Sequence, residues 1–220
     1  MYKKGLIADW GFSCLVEMKN TPKILFDTGT DGSILLSNMK KLDINPLEIS
    51  EIFISYGHYD HTGGLQALLK LNKDIKIYIP QSYVEPSGAK EVIRVKKSLQ
   101  IHENVLSTGE LLGVEQSMVV KTDYNPPTTS SHSPIGEWAP KGLVVITGCS
   151  HPGVGNILKS ASQFGKIYAL IGGLHGFSQF NLIKDLSLIC PCHCTQYMSE
   201  IKSLYTEKCI EGRAGKVIEI

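Results

Sequence analysis

Three residues near position 60 carry side chains of the kinds that bind metal ions. The stretch SYGHYDHTGG, residues 55–64, contains His58, Asp60 and His61. Neutral imidazole and carboxylate groups suit Zn²⁺, Mn²⁺ or Fe²⁺, and one loop can direct them towards a single centre or two adjacent centres. The glycines that follow Thr62 let the backbone pass close to its neighbours. This mixture of ligand types predicts a metal-binding loop rather than a solvated polar loop.

The other candidate residues share one placement with this loop, because each follows an apolar run. They are Asp27 after KILF, His58 to His61 after EIFIS, Cys149 and His151 after LVVIT, His175 after YALIGG, and His193 after LICP. In α/β proteins, sites are built at strand ends, because the sheet holds the backbone while the loops aim side chains inward. We therefore expect five strand ends to converge on one place.

Alternating strand-like and helical segments position these residues. Strands are predicted at CLVEM, KILFDTG, EIFISYG, IKIYIP, GLVVITG, KIYALIGG and LICP, and helices at SILLSNMKKLDI, GGLQALLKLN, VGNILKSASQF, FNLIKDL and QYMSEIKSLYTEK. Residues 81–140 have weak periodicity, and DYNPPTTSSHSPIGEWAP within them favours a loop. The pattern indicates a layered α/β fold with no dividing linker, and hence a single domain over residues 1–220.

Composition and charge bound the function. The 220 residues are 42% hydrophobic and 20% charged, which is typical of one soluble domain with a full core. The formal net charge of +1 favours neither nucleic acid nor an acidic membrane as partner. The first residues lack a signal-peptide core, and no later segment approaches the roughly 18 apolar residues of a membrane span. We expect a cytoplasmic protein that acts on a small molecule.

Several segments together resemble a known family. SYGHYDHTGG resembles the His-x-His-x-Asp-His signature of the metallo-β-lactamase superfamily, with Tyr56 in place of the first histidine. Outside residues 81–140, the matching segments are GFSCLVE, KILFDTG, GLVVITGCSHPGVGNIL, IGGLHG, CPCHCT and GKVIEI. Their order is similar to the branch that contains the dihydropterin–aminobenzene-phosphate synthase-like proteins of methanopterin biosynthesis. The resemblance implies an αββα sandwich, two mixed sheets covered by outer helices, with metal ions at one edge.

The resemblance also implies a set of metal ligands. In chain order they are His58, Asp60, His61, Cys149, His151 and His193. His58 matches a ligand of the first metal site, whereas Asp60 and His61 match ligands of the second. Cys149 stands where the family carries an acidic residue or a cysteine, so a thiolate ligand is expected there. The implied cofactor is Zn²⁺, as one or two ions, with Mn²⁺ or Fe²⁺ as alternatives.

Two more residues have expected roles without being expected ligands. His175 is family-like, and either contacts the substrate or supports a ligand from behind. Asp27 is expected to be buried and to brace the backbone of the metal loop, because a carboxylate readily accepts hydrogen bonds from nearby N–H groups.

Two departures from the family pattern lie near the expected site. Trp10 stands where the branch typically carries histidine, and Tyr56 replaces a ligand. A phenol has a reference pKa of about 10, so it binds a metal only where the cation stabilises the phenolate. We therefore expect a weakened first site, with either one bound ion or a pair that assembles only at high metal concentration.

The six cysteines indicate metal binding, catalysis or burial rather than disulfides in a reducing compartment. The stretch CPCHC, residues 190–194, is too compact for one tetrahedral centre and lacks the spacers of structural zinc sites. Cys190 and Cys192 are therefore expected to pack as small apolar residues beside His193. A thiol-redox function is disfavoured because CPC lacks the two-residue spacer of thioredoxin-like motifs.

Two functions are compatible with these features. The first is a metal-dependent hydrolase or related transferase, in which a metal-activated water attacks a small substrate, with phosphate suggested by the resemblance alone. There Asp60 orients the water and takes its proton, and His175 stabilises charge on the substrate. The second is a metal- or ligand-binding protein with weakened catalysis on the same scaffold, which Tyr56 favours and the retained ligands disfavour.

Overall fold

Two β-sheets pack face to face. The computed structural model describes residues 5–122 and 141–220. Within them, the first sheet consists of β1 (Cys14–Val16), β2 (Ile24–Phe26), β3 (Glu51–Phe53), β4 (Lys76–Pro80) and β5 (Glu91–Val95), in that spatial order. β1 runs antiparallel to β2, and the other neighbours are parallel. The predicted strand pair at CLVEM and KILFDTG is thus confirmed.

The second sheet is also mixed. It consists of β6 (Leu99–His102), β7 (Val105–Ser107), β8 (Met118–Lys121), β9 (Leu143–Thr147), β10 (Ile167–Gly173) and β11 (Leu188–Cys192). Strands that are consecutive in the chain are neighbours in this sheet, from β6 at one edge to β11 at the other. β6 to β9 are joined by antiparallel pairing, whereas β9, β10 and β11 are parallel. The parallel strands carry their carboxyl ends to the same edge.

Helices cover the outer faces of the sheets. They are α1 (Gly32–Lys41), α3 (Leu65–Leu71), α4 (Val154–Ser162) and α5 (Met198–Leu204), with 3₁₀ turns at Pro46–Glu48 and Phe180–Ile183. The four-residue helix α2 (Tyr59–Thr62) follows β3 and buries Asp60 and His61. The carboxylate of Asp31 caps α1 by accepting hydrogen bonds from the backbone N–H groups of Ser33 and Ile34. In the described part of the chain, no helix combines the length and apolar character needed to cross a lipid bilayer.

Alternating side chains of the strands build three apolar layers. Phe26 and Phe53 point between the sheets and share a cluster with Met118. Leu25 and Ile52, their neighbours along the chain, pack instead with residues of α1 and α3. The third layer joins the second sheet to α4 and α5 and includes Val119, Val145, Ile157, Ala161, Leu170 and Ile201. Strands buried on both faces between outer helices form the predicted αββα sandwich.

Residues 81–122 contain more regular structure than the sequence predicts. Strands β5 to β8 lie there, each three to five residues long, and runs this short show too little alternation to be recognised. The segment 123–140, predicted as a loop, lies outside the described residues. Residues 180–183 form a 3₁₀ turn where the sequence predicts a helix over FNLIKDL.

Candidate metal centre

The candidate residues lie in the segments that follow strands, which are loops except at Asp60 and His61 in the short helix α2. In chain order they are Asp27 after β2, His58, Asp60 and His61 after β3, Cys149 and His151 after β9, His175 after β10, and His193 after β11. Because β2 is parallel to β3, and β9 to β11 are mutually parallel, these loops emerge at one edge of each sheet. The contacts described next join the two edges.

Four of these side chains form a compact, buried cluster: one ligand atom from each of Asp60, His61, Cys149 and His193, all within 4.8 Å of one another. Nε2 of His61 is 3.2 Å from Nε2 of His193 and 3.4 Å from Sγ of Cys149. Oδ2 of Asp60 is 3.3 Å from Nε2 of His193. Asp60 and His61 belong to α2, beside the first sheet, and the other two follow strands of the second, so the cluster bridges the sheets.

The chemistry of this cluster fits a divalent cation. Two imidazoles, a carboxylate and a thiol are all side chains that bind Zn²⁺, and the thiol favours zinc over harder ions. Burial, followed by the proximity of His61, lowers the pKa of His193 to about 4, so its imidazole is neutral at neutral pH. Nδ1 of His193 is buried and has no hydrogen-bond partner among the described residues. The proton of the neutral His193 ring can therefore lie on Nδ1 or on Nε2, and a partner that needs the lone pair of Nε2 places the proton on Nδ1.

Asp27 orients His61 from behind. Its Oδ2 is 2.6 Å from Nδ1 of His61, and its two oxygens accept hydrogen bonds from the backbone N–H and the hydroxyl of Ser55, each at 2.7 Å. Burial lowers the pKa of His61 and is the largest single influence, but the attraction and hydrogen bond of Asp27, together with the charges of Asp60 and Glu115, leave that pKa raised. A histidine that donates Nδ1–H to a carboxylate presents the lone pair of Nε2 to a metal. Asp27 is fully buried, as predicted, and its hydrogen bonds reach Ser55 at the start of the metal loop and His61 near its end.

Glu115, which no sequence motif marks, holds the loop after β9. Its Oε1 accepts hydrogen bonds from the backbone N–H groups of Gly148, Cys149 and Ser150 at 2.9, 3.1 and 3.1 Å, and its Oε2 accepts one from His151 at 2.9 Å. The residue is fully buried. One carboxylate therefore fixes the backbone that carries both Cys149 and His151. A single glutamate in a weakly periodic segment gives no local signal of this role.

Tyr56 brings a hydroxyl to the cluster in place of a ring nitrogen. Its hydroxyl oxygen is 3.0 Å from Sγ of Cys149 and 3.3 Å from Nε2 of His151, and the residue is only 3% exposed. Burial, and then the hydrogen bond to Cys149, raise the pKa of Tyr56 far above its ordinary value. The phenol therefore keeps its proton and donates a hydrogen bond to the sulfur.

Three further histidines form an exposed row beside the cluster. The ring centroids of His58 and His151 are 5.7 Å apart, and those of His151 and His175 are 4.9 Å apart. Tyr56 stands between this row and the buried cluster, with its ring centroid 4.6 Å from that of His58 and 4.5 Å from that of His61. All three histidines are exposed. The structure thus divides the expected ligands into a buried group of four and an exposed group that contains His58 and His151.

Left-handed backbone conformations occur where the chain turns at this edge. Asp27, Ser150, His175 and His193 have φ angles of 55°, 63°, 41° and 50°. For residues other than glycine such a conformation costs on the order of 1 kcal/mol or more, and surrounding contacts must hold it. Four such positions at one edge are typical of a functional site, where the required direction of the side chains outweighs the conformational energy of the backbone.

The cysteines of the CPCHC stretch divide between core and site. Cys190 belongs to the apolar layer between the sheets and Cys192 packs against it, as predicted, and burial raises the pKa of Cys190 to about 12. Cys194 instead contacts the cluster, and its hydrogen bond with Cys149 lowers the pKa of Cys194 and raises the pKa of Cys149. In residues 5–122 and 141–220, one group alone has the spacing of a metal site, so residues 190–194 form no second centre.

Comparison with protein families and known proteins agrees with this geometry. The model of the metallo-β-lactamase superfamily matches residues 11–191. A protein of Methanocaldococcus jannaschii named 7,8-dihydropterin-6-methyl-4-(β-D-ribofuranosyl)-aminobenzene-5′-phosphate synthase is 27% identical over 276 aligned positions, which cover 99% of this chain and 92% of that protein. An uncharacterised protein of the same organism is 27% identical, with 100% of this chain and 96% of that protein covered. These matches confirm the resemblance inferred from the motifs.

Solved structures show the same fold. The metal-dependent hydrolase Tm1679 of the β-lactamase superfamily superposes with a TM-score of 0.73 at 23% identity, covering 100% of this chain and 95% of its own. The metallo-β-lactamase fold protein YhfI from Bacillus subtilis gives a TM-score of 0.62 at 14% identity, covering 99% and 96%. With a family match over most of its length and the αββα architecture, the chain belongs to the metallo-β-lactamase superfamily.

Proposed function

We propose that the chain is a cytoplasmic, metal-dependent hydrolase or related transferase that acts on a small, phosphate-bearing molecule. The observation that carries the proposal is the buried cluster of Asp60, His61, Cys149 and His193, whose ligand atoms lie within 4.8 Å of one another. Burying these polar groups without a cation between them is costly, and functional sites are where such arrangements persist.

In this proposal the four clustered residues hold one Zn²⁺ ion. When bound, the ion supplies Lewis acidity that activates water and polarises the oxygen under attack. Asp27 keeps Nε2 of His61 available by accepting the proton of Nδ1, at 2.6 Å. Asp60 has a further role, since its carboxylate orients the water and accepts its proton. Tyr56 donates a hydrogen bond to Cys149, and this bond favours the thiolate form that a metal ligand needs, against the rise in the pKa of Cys149 that Cys194 and burial cause.

The exposed histidine row forms the substrate side of the site. His58, His151 and His175 offer ring N–H donors at the mouth of the buried cluster, and such donors suit the oxygens of a phosphate group. His175 stabilises charge that develops on the substrate. The phosphate preference is supported by the name of the M. jannaschii relative, which denotes the synthase of a 5′-phosphate.

One observation favours a second candidate, a metal-binding protein with weakened catalysis. Four protein donors complete a tetrahedron, as in structural zinc sites, whereas catalytic sites keep one position for water. Hydrolysis then requires either a fifth ligand or displacement of Cys149, whose sulfur is also engaged by Tyr56. Cys149 therefore separates the two candidates.

The test combines metal analysis with turnover. The purified chain is stripped of metal, reloaded with Zn²⁺, Mn²⁺ or Fe²⁺, and assayed with a generic phosphodiester and a lactone. Asp60→Asn removes one ligand, and the matched control is Asp185→Asn, which makes the same change at an exposed position just before β11. Cys149→Ser tests whether the sulfur occupies the coordination position that a catalytic water would need.

Metal-dependent turnover that Asp60→Asn abolishes and Asp185→Asn retains supports the hydrolase. Bound metal without turnover in the wild type, with turnover gained in Cys149→Ser, supports the closed metal-binding site instead. If the chain binds no metal, and Asp60→Asn behaves like Asp185→Asn, both candidates are wrong.

A further inference from the structure

Trp10 is a large aromatic residue that lies exposed against the candidate metal centre. Its ring centroid is 5.4 Å from that of His193, at an interplanar angle of 49°. The residue is nevertheless 59% exposed. Single exposed apolar residues are common and carry no meaning alone, so the inference rests on how this one is held.

The loop that carries Trp10 is anchored on both sides. The backbone N–H of Trp10 donates to Oδ1 of Asp9 at 2.7 Å, and Oδ2 of Asp9 accepts a hydrogen bond from the hydroxyl of Thr30. On the other side, the N–H of Phe12 donates to the carbonyl of Asp60 at 3.1 Å. The position of the indole is therefore tied to the backbone of a candidate metal ligand.

Gly11 permits this close anchoring. A Cβ atom at position 11 would lie 2.6 Å from the backbone nitrogen of Thr30 and 3.1 Å from the carbonyl oxygen of Asp60. Any larger residue would push the loop away from the metal loop. The chain thus uses a glycine to bring Trp10 against the site.

Shielding His193 from solvent does not by itself require the exposed indole of Trp10. The ring of Phe12, which is only 8% exposed, has its centroid 6.4 Å from that of His193 and 6.5 Å from that of His61. The imidazole of His193 is 1% exposed. Phe12 supplies buried packing, so the exposed surface of Trp10 is left available to a ligand at the mouth.

We propose that Trp10 is a specificity-determining residue whose indole stacks on a planar aromatic or heteroaromatic ring of the substrate while the anionic end of the substrate lies at the metal centre. This deepens the proposed function, on which it rests for the anionic end. Stacking of aromatic rings adds a selectivity of about two- to tenfold beyond simple area burial. A ligand of the same charge and size without a planar ring lacks that gain.

The test uses a matched pair of ligands that cannot be hydrolysed. Phenylphosphonate and cyclohexylphosphonate carry the same anionic group and differ in the planarity of the ring. Their dissociation constants are measured by calorimetry on the Zn²⁺-loaded full chain. They are also measured by fluorescence in a Trp138→Phe background, because the sequence has two tryptophans and this change leaves Trp10 as the single fluorescent indole. The variants are Trp10→Phe, which keeps an aromatic ring, and Trp10→Leu, which keeps apolar cover.

The matched control is Tyr59→Leu, which removes another exposed aromatic residue, 69% exposed, from the adjacent helix α2. Metal content is measured in every variant. We expect the wild type to bind phenylphosphonate about two- to tenfold more tightly than cyclohexylphosphonate, with quenching of Trp10. Trp10→Phe and Tyr59→Leu should retain a preference, whereas Trp10→Leu should lose it without losing metal.

Equal affinities in the wild type, no binding of phenylphosphonate, a preference that persists in Trp10→Leu, or an equal loss in Tyr59→Leu would each overturn the inference. A loss of metal and stability in Trp10→Leu, with the preference intact, would show that Trp10 only covers His193. The proposed function can fail independently of this inference. If the chain shows no turnover but prefers phenylphosphonate through Trp10, hydrolysis is refuted and the stacking role of Trp10 is supported. If the chain shows turnover but no preference for the phenyl ring, hydrolysis is supported and the stacking role is refuted.

Discussion

Tyr56 occupies the space between the two groups of candidate ligands. Its hydroxyl contacts Cys149 on the buried side and His151 on the exposed side. A protonated phenol donates a hydrogen bond there, whereas an imidazole would offer a lone pair to a cation. Tyr56 therefore places a hydrogen-bond donor between the buried cluster and the exposed histidines His58 and His151.

Restoring histidine at this position should complete the first metal site. In Tyr56→His, three ring nitrogens, from positions 56, 58 and 151, can converge, and we expect metal content to rise from about one to about two ions per chain. Metal analysis after dialysis at neutral pH measures it. Tyr56→Phe is the control, because it removes the hydroxyl without adding a ligand and should stay at the wild-type content. Two ions in both wild type and Tyr56→His would refute the weakened first site.

Asp27 acts on metal affinity through His61. In Asp27→Asn the amide oxygen can still accept from the N–H of Ser55, but the amide N–H₂ group then faces Nδ1 of His61 and donates to it, which moves the imidazole proton to Nε2, the atom that faces the cluster. We expect Zn²⁺ affinity to fall by about 10- to 100-fold, as for other partners that support a histidine ligand. Competition with a chromogenic chelator measures the affinity, and Asp185→Asn is the matched control. Unchanged affinity in a folded Asp27→Asn protein would show that the contact does not orient the ligand.

Among the elements, the turn before β8 holds the loop that carries Cys149 and His151. It carries Glu115, whose carboxylate accepts backbone hydrogen bonds from four consecutive residues, Gly148 to His151. Strand β8 pairs with β9, so the same pairing that forms the sheet places Glu115 under the loop after β9. The loop is therefore held by its neighbouring strand rather than by its own sequence.

Replacing this carboxylate should loosen the loop after β9. In Glu115→Gln an amide N–H₂ group takes the place of an acceptor and faces backbone N–H donors, so we expect the free energy of unfolding to fall by roughly 2–4 kcal/mol. Chemical denaturation measures that loss, and hydrogen exchange should report faster exchange at residues 148–151. Glu103→Gln, an exposed position between β6 and β7, is the control. Unchanged protection at 148–151 would contradict the role assigned to Glu115.

Across the whole molecule, the two sheets are linked by polar contacts at both ends. At one end, Nε2 of His102 on β6 lies 2.8 Å from Oε2 of the buried Glu51, the first residue of β3. At the other end, the cluster takes Asp60 and His61 from beside the first sheet and Cys149 and His193 from the second. A cation in the cluster would join the two sheets directly.

Metal binding should accordingly stabilise the fold as one unit. A ligand present at about 100 times its Kd adds about 2.7 kcal/mol to the free energy of unfolding, which corresponds to a rise in Tm of roughly 5–10 °C for a chain of this size. Calorimetry with Zn²⁺ and with a chelator measures the shift, and Asp60→Asn should abolish it. The predicted single domain over residues 1–220 requires one transition, so two separate transitions would contradict it.

The features that the sequence determined by itself are local ones. Continuous apolar runs mark β2, β3, β9, β10 and β11, because these strands are buried on both faces. The positions of His61, Cys149 and His193 immediately beyond such runs predict convergence, since parallel strands end at the same edge. The layered α/β class and the candidate residues could therefore be inferred from segments of a few residues each, whereas the αββα sandwich was implied by the family resemblance.

Tertiary structure alone decided which of these residues meet and what surrounds them. Tyr56 and Cys149 are 93 positions apart, and Glu115 and His151 are 36 apart, yet both pairs are in hydrogen-bond contact. Such contacts depend on the register between strands and on the packing of one sheet against the other, which no short segment encodes. The division into a buried cluster and an exposed histidine row, and the location of Trp10 against His193, follow from that packing.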